Sequence, residues 1–175
     1  MKLKDYFIPD FYFTSVVRIK PEFFAENNID CLICDIDNTL TTYDKAVPYD
    51  DIKEWLDKVE MSGVRLALIS NNNEDRVYTF NTVLGYDYVS RAGKPFTHKL
   101  KYLMSRTGRK KENTALIGDQ IFTDVLCARS AGIRSILVTS IDTRGRPFLQ
   151  LKKHFEKYFI EEFFKKNGRF GQKYD

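Results

Sequence analysis

Short apolar runs alternate with amphipathic segments along most of the chain. Five runs of about 4–7 residues have the length and the turn-residue borders of buried β-strands. They are CLICD (31–35), VRLALIS (64–70), YDYVS (86–90), TALIGD (114–119) and RSILVTS (134–140). Their continuous hydrophobicity is typical of strands that are covered on both faces of a sheet.

The segments between these runs carry helix signals. Prolines, acidic residues or an asparagine stand near their starts, and each ends at a glycine, namely Gly63, Gly85, Gly108 and Gly132. Strands that alternate with helices predict a parallel sheet with right-handed crossovers. We therefore predict an α/β fold, a doubly wound parallel sheet in a single domain.

Composition supports one soluble domain with two extensions. The 175 residues are 43% hydrophobic and 30% charged, and no apolar run approaches the ~20 residues of a membrane span. The first residues lack the pattern of a signal peptide, so a cytoplasmic location is expected. We predict an N-terminal aromatic arm that packs on the core (1–30), a catalytic core (31–140) and a basic amphipathic C-terminal helix and tail (141–175).

The cysteines and histidines do not predict a disulfide or a zinc site. Cys31 and Cys34 imitate a C-x-x-C motif, but in a strand residues i and i+3 point to opposite faces, about 10 Å apart. A disulfide needs Cα atoms within about 7 Å. We expect all three cysteines to be small buried hydrophobic residues.

Acidic residues gather at the carboxyl ends of the predicted strands, where ligands bind in open α/β sheets. Asp35 and Asp37 end the first run, Asp119 ends the fourth, and Asp124 follows in the next helix. Carboxylates that converge in this way repel one another unless a cation is present. Their oxygens suit Mg²⁺, which we predict as the cofactor.

Three further residues complete a candidate phosphoryl-transfer site. Ser70 and Asn71 end the second strand, and Lys94 lies in the loop before Pro95. A carboxylate nucleophile, a proton donor, a metal and a lysine are the groups that this chemistry requires. The neighbouring Asn72, Asn73 and Asp44 are interpreted as turn or cap residues.

These residues carry a resemblance to a known family. DIDNT (35–39), SNN (70–72), Lys94-Pro95 and GDQIFTD (118–124) resemble, in order, the four motifs of the haloacid dehalogenase (HAD) superfamily of phosphatases. One D-x-D pattern arises easily by chance, whereas four ordered motifs at the predicted strand ends are specific. The resemblance spans about residues 31–140 and implies a HAD-like Rossmannoid fold.

The resemblance also implies a role for each matched residue. Asp35 would be the nucleophile that forms an aspartyl-phosphate, and Asp37 the acid and base that protonates the leaving group and activates water. The other implied roles are listed here: Thr39, Ser70 and Asn71 bind or position the phosphoryl group; Lys94 stabilises its charge; Asp35, the main-chain carbonyl of Asp37, Asp119 and Asp124 serve the metal.

Relatives in this superfamily commonly insert a cap domain, and this sequence has no room for one. Only residues 39–48 (TLTTYDKAVP), which we call the flap, and one helix lie between the first two strands. One helix and one strand separate Ser70 from Lys94. An uncapped site is open to a bulky substrate, such as a macromolecule or a lipid head group.

The C-terminal segment carries the chain's excess of positive charge. Residues 141–175 hold nine Lys/Arg and five Asp/Glu, which accounts for the net charge of +4. Its apolar stripe is listed here: Leu151, Phe155, Tyr158, Phe159, Phe163. The stripe favours packing on the sheet, while the flanking lysines leave peripheral contact with an anionic membrane as a second interpretation.

The overall pattern is similar to the capless subfamily III, YqeG-type phosphatases, a group similar to phosphatidylglycerophosphate phosphatases. The resemblance implies hydrolysis of a lipid head-group phosphate at the inner face of a membrane. A soluble phosphatase for a sugar phosphate, nucleotide or phosphoprotein is one alternative, and a non-catalytic metal- or partner-binding module is another. Nucleic acid is not an expected partner, because the RKK run (109–111) is typical of a solvated loop. The oligomeric state is not predicted.

Overall fold

Six parallel strands form one sheet at the centre of the protein. The computed structural model describes residues 3–142 and 147–167, and for residues 147–155 it describes the main chain alone. The strands are β1 (Phe11–Phe13), β2 (Cys31–Cys34), β3 (Arg65–Ile69), β4 (Asp87–Val89), β5 (Thr114–Gly118) and β6 (Arg134–Val138). Their order is β1-β6-β5-β2-β3-β4, and every neighbouring pair is parallel.

The order places β2 in the middle of the sheet, with the later strands added on both sides. Ile33 of β2 lies opposite Ala67 of β3 and opposite Leu116 of β5. Because all three strands run in the same direction, their carboxyl ends meet at one edge. The strand order changes direction at β2, and α/β proteins bind ligands at the carboxyl ends of the strands on either side of such a point.

Within the described residues, six α-helices connect and cover the strands. They are α1 (Pro21–Glu26), α2 (Asp50–Met61), α3 (Glu74–Asn81), α4 (His98–Thr107), α5 (Leu126–Ala131) and α6 (Pro147–Asn167). One turn of π-helix, Ile121–Val125, precedes α5. Gly108 and Gly132 end α4 and α5 in the left-handed conformation, as the sequence predicts.

Each face of the sheet has its own hydrophobic core. Leu32 and Cys34 of β2 pack in a large aromatic-rich cluster with Phe24 and Trp55. Cys31 and Ile33 point to the other face, into a cluster with the buried leucines of α4. Helices and core clusters on both faces of a parallel sheet confirm the predicted doubly wound fold. All three cysteines are buried and free, which confirms their predicted state.

The N-terminal region contains a strand that the hydrophobic pattern does not predict. Phe11–Phe13 pairs with β6 and forms an edge of the sheet. Three residues are too few to show the alternation of a β-strand, and the sequence around them predicted an irregular arm. The carboxylate of Asp10 holds the strand in place by accepting from the main chain and hydroxyl of Ser135 at 2.8 and 2.9 Å, and from Arg129.

The described side chains of α6 pack on the body of the protein. Phe159 stacks on Phe7 with ring centroids 5.1 Å apart, and Phe163 is buried. The buried carboxylate of Glu156 accepts the N–H of Ile121 at 2.8 Å, where the π-helical turn begins. Tyr158, in contrast, is exposed. This half of the predicted stripe therefore packs on the core at Phe159 and Phe163.

Several sequence expectations lie outside the described residues. The side chains of Leu151, Lys152, Lys153 and Phe155 and the tail, residues 168–175, belong to this group. Across residues 3–142 and 147–167, we find no helix long and apolar enough to cross a membrane. Residues 35–94 are all described, and they contain the flap, two helices and two strands but no cap domain.

Candidate active site

Three carboxylates meet at the carboxyl edge of the sheet. Asp35 follows β2, Asp119 follows β5, and Asp124 lies in the π-helical turn. One carboxylate oxygen from each lies within 4.8 Å of the corresponding oxygens of the other two, and all three residues are buried. The neighbouring parallel strands bring together residues that are up to 89 positions apart in the sequence.

Lys94 enters this acidic cluster from the loop between β4 and α4. Its ammonium group donates to Oδ1 of Asp35 and to Oδ1 of Asp124, both at 2.6 Å. Asn71 fixes the main chain of Lys94, since its Oδ1 accepts the lysine N–H at 2.8 Å and its Nδ2 donates to the lysine carbonyl at 3.1 Å. The predicted lysine and amide therefore meet, with the amide fixing the loop that carries the lysine.

Burial and mutual repulsion perturb the acidic cluster. Burial raises the pKa of Asp35 to about 7, with Asp124 adding to the effect and Lys94 opposing it. Burial and the neighbouring Asp35 and Asp124 raise the pKa of Asp119 to about 8. Burial alone would lower the pKa of Lys94, but the two carboxylates outweigh it and raise the pKa above its usual value.

The donor set of the cluster fits a hard divalent cation. Oδ2 of Asp119 accepts from Ser140 at 2.5 Å, while Oδ1 is buried and has no hydrogen-bond partner among the described residues. A buried carboxylate oxygen without a partner is unfavourable. Three carboxylates beside one ammonium leave excess negative charge, and carboxylate oxygens are the ligands that Mg²⁺ prefers. Asp35, Asp119 and Asp124 are therefore suited to hold it.

Asp37 lies in a different environment from Asp35. Its Oδ1 accepts from Nε and from Nη2 of Arg76, at 3.1 and 3.0 Å. Its Oδ2 lies 3.4 Å from the Ser70 hydroxyl and 3.3 Å from Nδ2 of Asn72. A cation, a hydroxyl and an amide thus surround this carboxylate.

A tight turn begins at Ile36, directly after Asp35, and includes Asp37. The carbonyl of Ile36 accepts from the N–H groups of Leu40 and Thr41, and Asn38 adopts a left-handed φ of 65°. Asparagine tolerates this conformation better than most residues. The turn also brings the Thr39 hydroxyl to Oδ2 of Asp35, to which it donates at 3.1 Å.

Gly118 is required by the close approach of Asp124. A Cβ atom at position 118 would lie 2.3 Å from Cγ of Asp124. Oδ2 of Asp124 accepts the N–H of Gln120 at 3.1 Å, which holds the carboxylate over the end of β5. The glycine of the G-D motif therefore leaves space for the last acidic residue of the same motif.

A cavity of about 350 Å³ opens onto these groups. Its lining is Asp35, Asp37, Tyr43, Ser70, Asn71, Asn72, Lys94, Gln120, Thr123 and Asp124. Asp119 instead lines a neighbouring cleft of about 200 Å³ with Thr139 and Ser140. The cavity therefore reaches most of the predicted residues directly, and Asp119 and Thr39 are not part of its lining.

The sequence does not identify several residues that the structure places at the site. Arg76 and Ser140 bond to the predicted acids, and Tyr43, Gln120 and Thr123 line the cavity. Asn73 caps α3, as expected, by accepting from the N–H of Arg76 at 2.9 Å. Asn72 both orders the turn and reaches Asp37. In the sequence, the position of Arg76 in the first helical turn after SNN is the signal that could have identified it as a site residue.

The chain is similar over most of its length to proteins described as hydrolases or phosphatases. A family model described as haloacid dehalogenase-like hydrolase matches residues 13–138. The chain is 31% identical over 158 residues to "Probable phosphatase YqeG" of Bacillus subtilis (strain 168), which covers 90% of this chain and 92% of that protein.

A second relative and a solved structure agree with this match. The chain is 31% identical over 104 residues to the phosphoglycolate phosphatase of Colwellia psychrerythraea, and the match covers 54% of this chain and about half, 46%, of that enzyme. A crystal structure of an uncharacterized protein from Listeria monocytogenes serotype 4b superimposes with a TM-score of 0.55 at 21% identity. The superposition covers 66% of this chain and 84% of that one. At this level of identity, the match shows a similar fold.

Proposed function

The chain belongs to the haloacid dehalogenase-like hydrolases and is a phosphatase, and from this premise we propose that it hydrolyses phosphomonoesters through an aspartyl-phosphate on Asp35, with Mg²⁺ as cofactor. The observation that carries the proposal is the contrast between two nearby carboxylates. Asp35 lies among acids and Lys94, whereas Asp37 lies among hydrogen-bond donors. With a cation bound in the acidic cluster, Asp35 would be ionised as a nucleophile must be, and the donors around Asp37 hold that carboxylate in place for proton exchange.

The first half-reaction transfers the phosphoryl group to the protein. An oxygen of Asp35 attacks phosphorus, the bond from phosphorus to the ester oxygen breaks, and its electron pair stays on the leaving oxygen. Asp37, protonated at Oδ2, gives its proton to that oxygen, and the alcohol departs. Thr39 supports this step, since its hydroxyl donates to Oδ2 of Asp35 and limits the rotation of the nucleophile.

The second half-reaction returns the protein to its starting state. Water attacks the phosphorus of the aspartyl-phosphate, and Asp37 takes a proton from that water. The bond between phosphorus and the Asp35 oxygen breaks, which releases inorganic phosphate and the free carboxylate. One residue thus acts as acid and then as base, which requires that Asp37 stay near the same phosphorus in both steps.

Lys94 and the acidic cluster balance the charge of the phosphoryl group. Lys94 already bridges Asp35 and Asp124 in this structure, so its ammonium lies beside the attacking oxygen. Asp35, Asp119, Asp124 and the main-chain carbonyl of Asp37 would hold Mg²⁺. When bound, the ion neutralises phosphoryl oxygens as a Lewis acid. Ser70 and Asn71 line the same cavity and would position the phosphoryl group.

We propose a lipid head-group phosphate, as in phosphatidylglycerophosphate, as the substrate. The absence of a cap between β2 and β4 supports a substrate that does not have to be enclosed. The flap contributes two exposed apolar side chains, Tyr43 and Val47, of which Tyr43 lines the cavity. Such side chains suit contact with the acyl region or the interface of a membrane.

We propose that α6 also contacts the membrane, through fewer side chains than the sequence predicts. Phe159 and Phe163 of α6 face the body of the protein, whereas Lys157 and Tyr158 are exposed. A basic and an aromatic side chain that face outward favour an anionic surface, such as the inner face of a membrane. This contact is weaker than the sequence stripe alone would imply, because part of the stripe is buried.

Phosphate release from vesicles tests the proposed function. The substrates are phosphatidylcholine vesicles that contain phosphatidylglycerophosphate, and phosphoglycolate and a small aryl phosphate in solution. We expect Mg²⁺-dependent release from the vesicles by the wild type and none by Asp35→Asn, with Asp57→Asn, an exposed acid on α2, as the matched control.

Each other outcome selects a different function. Turnover of the soluble substrates alone would retain the mechanism and indicate a soluble phosphatase. Turnover of none, with Mg²⁺ binding intact, would indicate a non-catalytic metal-binding module. Activity that survives in Asp35→Asn would contradict the assignment of the nucleophile.

A further inference from the structure

We propose that Arg76 is a positioning residue that holds the proton-carrying carboxylate of Asp37 and fixes the flap against it. Two nitrogens of its guanidinium group, Nε and Nη2, donate to the same oxygen, Oδ1 of Asp37. No motif in the sequence assigns a role to this residue. The inference rests on the proposed function, because it takes Asp37 as the acid and base.

The ion pair between Arg76 and Asp37 lies in the interior. The arginine side chain is 13% exposed and the aspartate 7% exposed. The arginine–aspartate contacts of Asp87, in contrast, involve Arg65 and Arg106, whose side chains are 48% and 46% exposed. Exposed pairs of that kind contribute little, whereas a guanidinium that binds a carboxylate out of solvent restricts its orientation.

Arg76 binds the Asp37 carboxylate from outside the lining of the cavity. Asp37, Ser70 and Asn72 line the cavity, and Arg76 is not part of that lining. Because Arg76 occupies Oδ1, the oxygen on the side of Ser70 and Asn72 is Oδ2. The arrangement therefore assigns the two oxygens of Asp37, one to an internal anchor and the other to proton exchange with the leaving oxygen or with water.

The same guanidinium group binds the flap. Its Nη2 donates to the carbonyl of Thr42 and its Nη1 to the carbonyl of Ala46, each at 3.2 Å. The flap residues 43–47 are exposed, and these two hydrogen bonds hold the main chain of the flap at Thr42 and Ala46. Arg76 thus connects the catalytic carboxylate and the loop that covers one side of the cavity.

Local structure fixes Arg76 in turn. Asn73 caps α3 and accepts the N–H of Arg76 at 2.9 Å, which places the arginine in the first turn of the helix. The guanidinium carbon lies 5.8 Å from the ring centroid of Phe80, a buried residue one turn along the helix. A cation above an aromatic face is held in place by the ring. The arginine is therefore preorganised before a substrate binds.

A kinetic double-mutant cycle tests whether Arg76 acts through Asp37. The variants are Arg76→Ala, Asp37→Asn and the double variant, assayed with p-nitrophenyl phosphate and Mg²⁺, because a good leaving group keeps turnover measurable without a proton donor. We expect Arg76→Ala to lower kcat about 10- to 100-fold and to change KM by less than about 3-fold. In the Asp37→Asn background the same change should alter kcat by less than about 2-fold.

A second substrate separates positioning from general destabilisation. Glycerol 3-phosphate has a poor leaving group and needs the proton more, so Arg76→Ala should slow it at least about 5-fold more than it slows the aryl ester. Arg76→Lys, which keeps the charge but not the two parallel N–H groups, should fall between Arg76→Ala and the wild type. Arg106→Ala, which removes an exposed arginine–aspartate pair, is the matched control and should retain wild-type kinetics.

The outcomes distinguish failure of this inference from failure of the proposed function. If Asp37→Asn is fully active, the assignment of Asp37 is wrong. If Asp37→Asn is impaired but the effects of the two single changes multiply in the double variant, Arg76 does not act through Asp37 and the inference is overturned. Equal slowing of both substrates by Arg76→Lys, a folded variant by its melting curve, would overturn it as well.

Discussion

The two sides of the active site treat two neighbouring carboxylates in opposite ways. Asp35, on the side of β5, shares a buried space with Asp119, Asp124 and the ammonium of Lys94. Asp37, on the side of α3, accepts hydrogen bonds from Arg76 on one oxygen and lies within reach of the Ser70 hydroxyl and the Asn72 amide on the other. The acidic side is short of positive charge, whereas the arginine side is balanced.

The difference shows that a D-x-D motif does not by itself divide the work between its two acids. The residues are chemically identical and two positions apart, and their partners come from different helices and loops. A carboxylate in an acidic cluster is suited to bind a metal, and the bound cation would keep Asp35 ionised for attack on phosphorus. A carboxylate held by donors is suited to carry a proton to and from a fixed place.

Removal of each acid in turn should have the largest effect and should separate the two roles. We expect Asp35→Asn to lower kcat at least about 10⁴-fold, because no nucleophile remains. Asp37→Asn should lower kcat about 10²- to 10³-fold with the aryl ester, since proton transfer alone is lost. Acid-quenched samples analysed by mass spectrometry should show phosphorylated Asp35 accumulating in Asp37→Asn and absent in Asp35→Asn.

An opposite pattern would reverse the assignment. Phosphorylation of residue 37 in the Asp35→Asn protein would make Asp37 the nucleophile. Asp57→Asn, on the exposed side of α2, serves as the control for loss of a carboxylate elsewhere. It should retain wild-type kcat and show no change in labelling.

Loss of the only cation that the structure describes within the acidic cluster should be the next largest effect. Lys94→Met keeps the length of the side chain but leaves Asp35 and Asp124 without their shared donor. Removal of one partner from a buried pair destabilises a protein by roughly 3–5 kcal/mol. Urea unfolding at neutral pH should show this loss, and kcat should fall by about 10²-fold or more.

Magnesium should oppose the destabilisation in Lys94→Met, because a divalent ion replaces part of the missing charge. The control is Lys101→Met, at an exposed position of α4, which should unfold like the wild type. Wild-type stability in Lys94→Met without Mg²⁺ would show that Lys94 does not balance the cluster.

A single added methyl group at the end of β5 should have a moderate effect. Gly118→Ala places a Cβ 2.3 Å from Cγ of Asp124, so the acid must move. We expect a loss of about 1–3 kcal/mol of stability, together with weaker Mg²⁺ binding measured by calorimetry. In Gly118→Ala/Asp124→Ala the added loss should largely disappear, and simple additivity would show that Asp124 is not the obstacle.

The pH dependence of stability should show the smallest effect. In the metal-free protein the pKa of Asp119 is raised to about 8, so between about pH 4 and pH 8 the native state binds more protons than the unfolded state, and the contribution of this group to stability falls as pH rises. Asp119→Asn removes that dependence. Relative to the wild type, the variant should therefore gain stability steadily from pH 5 to pH 8, by at most about 1.4 kcal/mol per pH unit.

Melting temperatures measured across this pH range without metal would check the prediction. Saturating Mg²⁺ should stabilise the wild type more than Asp119→Asn, since the ion binds the ionised carboxylate. A constant difference between the two proteins from pH 5 to pH 8 would contradict the pKa shift.

Much of this architecture follows from local pattern. Five strands of continuous hydrophobicity, the glycines that end the helices, and the acids that follow Cys34 and Gly118 are all encoded within a few residues of where they act. Phe11–Phe13 was not predicted, because a three-residue strand shows no period and owes its place to β6. For the C-terminal stripe, the sequence left two interpretations, packing on the core and binding to a membrane. The structure favours packing for the part whose side chains are described, because Phe159 lies against Phe7 and in the cluster of Ile121.

The sequence by itself determined the fold class, the edge of the sheet that holds the site, and the set of residue types available for catalysis, since these depend on periodicity and on the order of strand ends. The tertiary structure decided which partner each acid receives. Lys94 reaches Asp35 across 59 positions and Arg76 reaches Asp37 across 39, and contacts over such separations leave no periodic trace in the chain. The physical reason is that hydrophobic burial, which builds the sheet, has a local signature, whereas the pairing of buried charges is set only when the folded backbone brings distant segments within hydrogen-bonding distance.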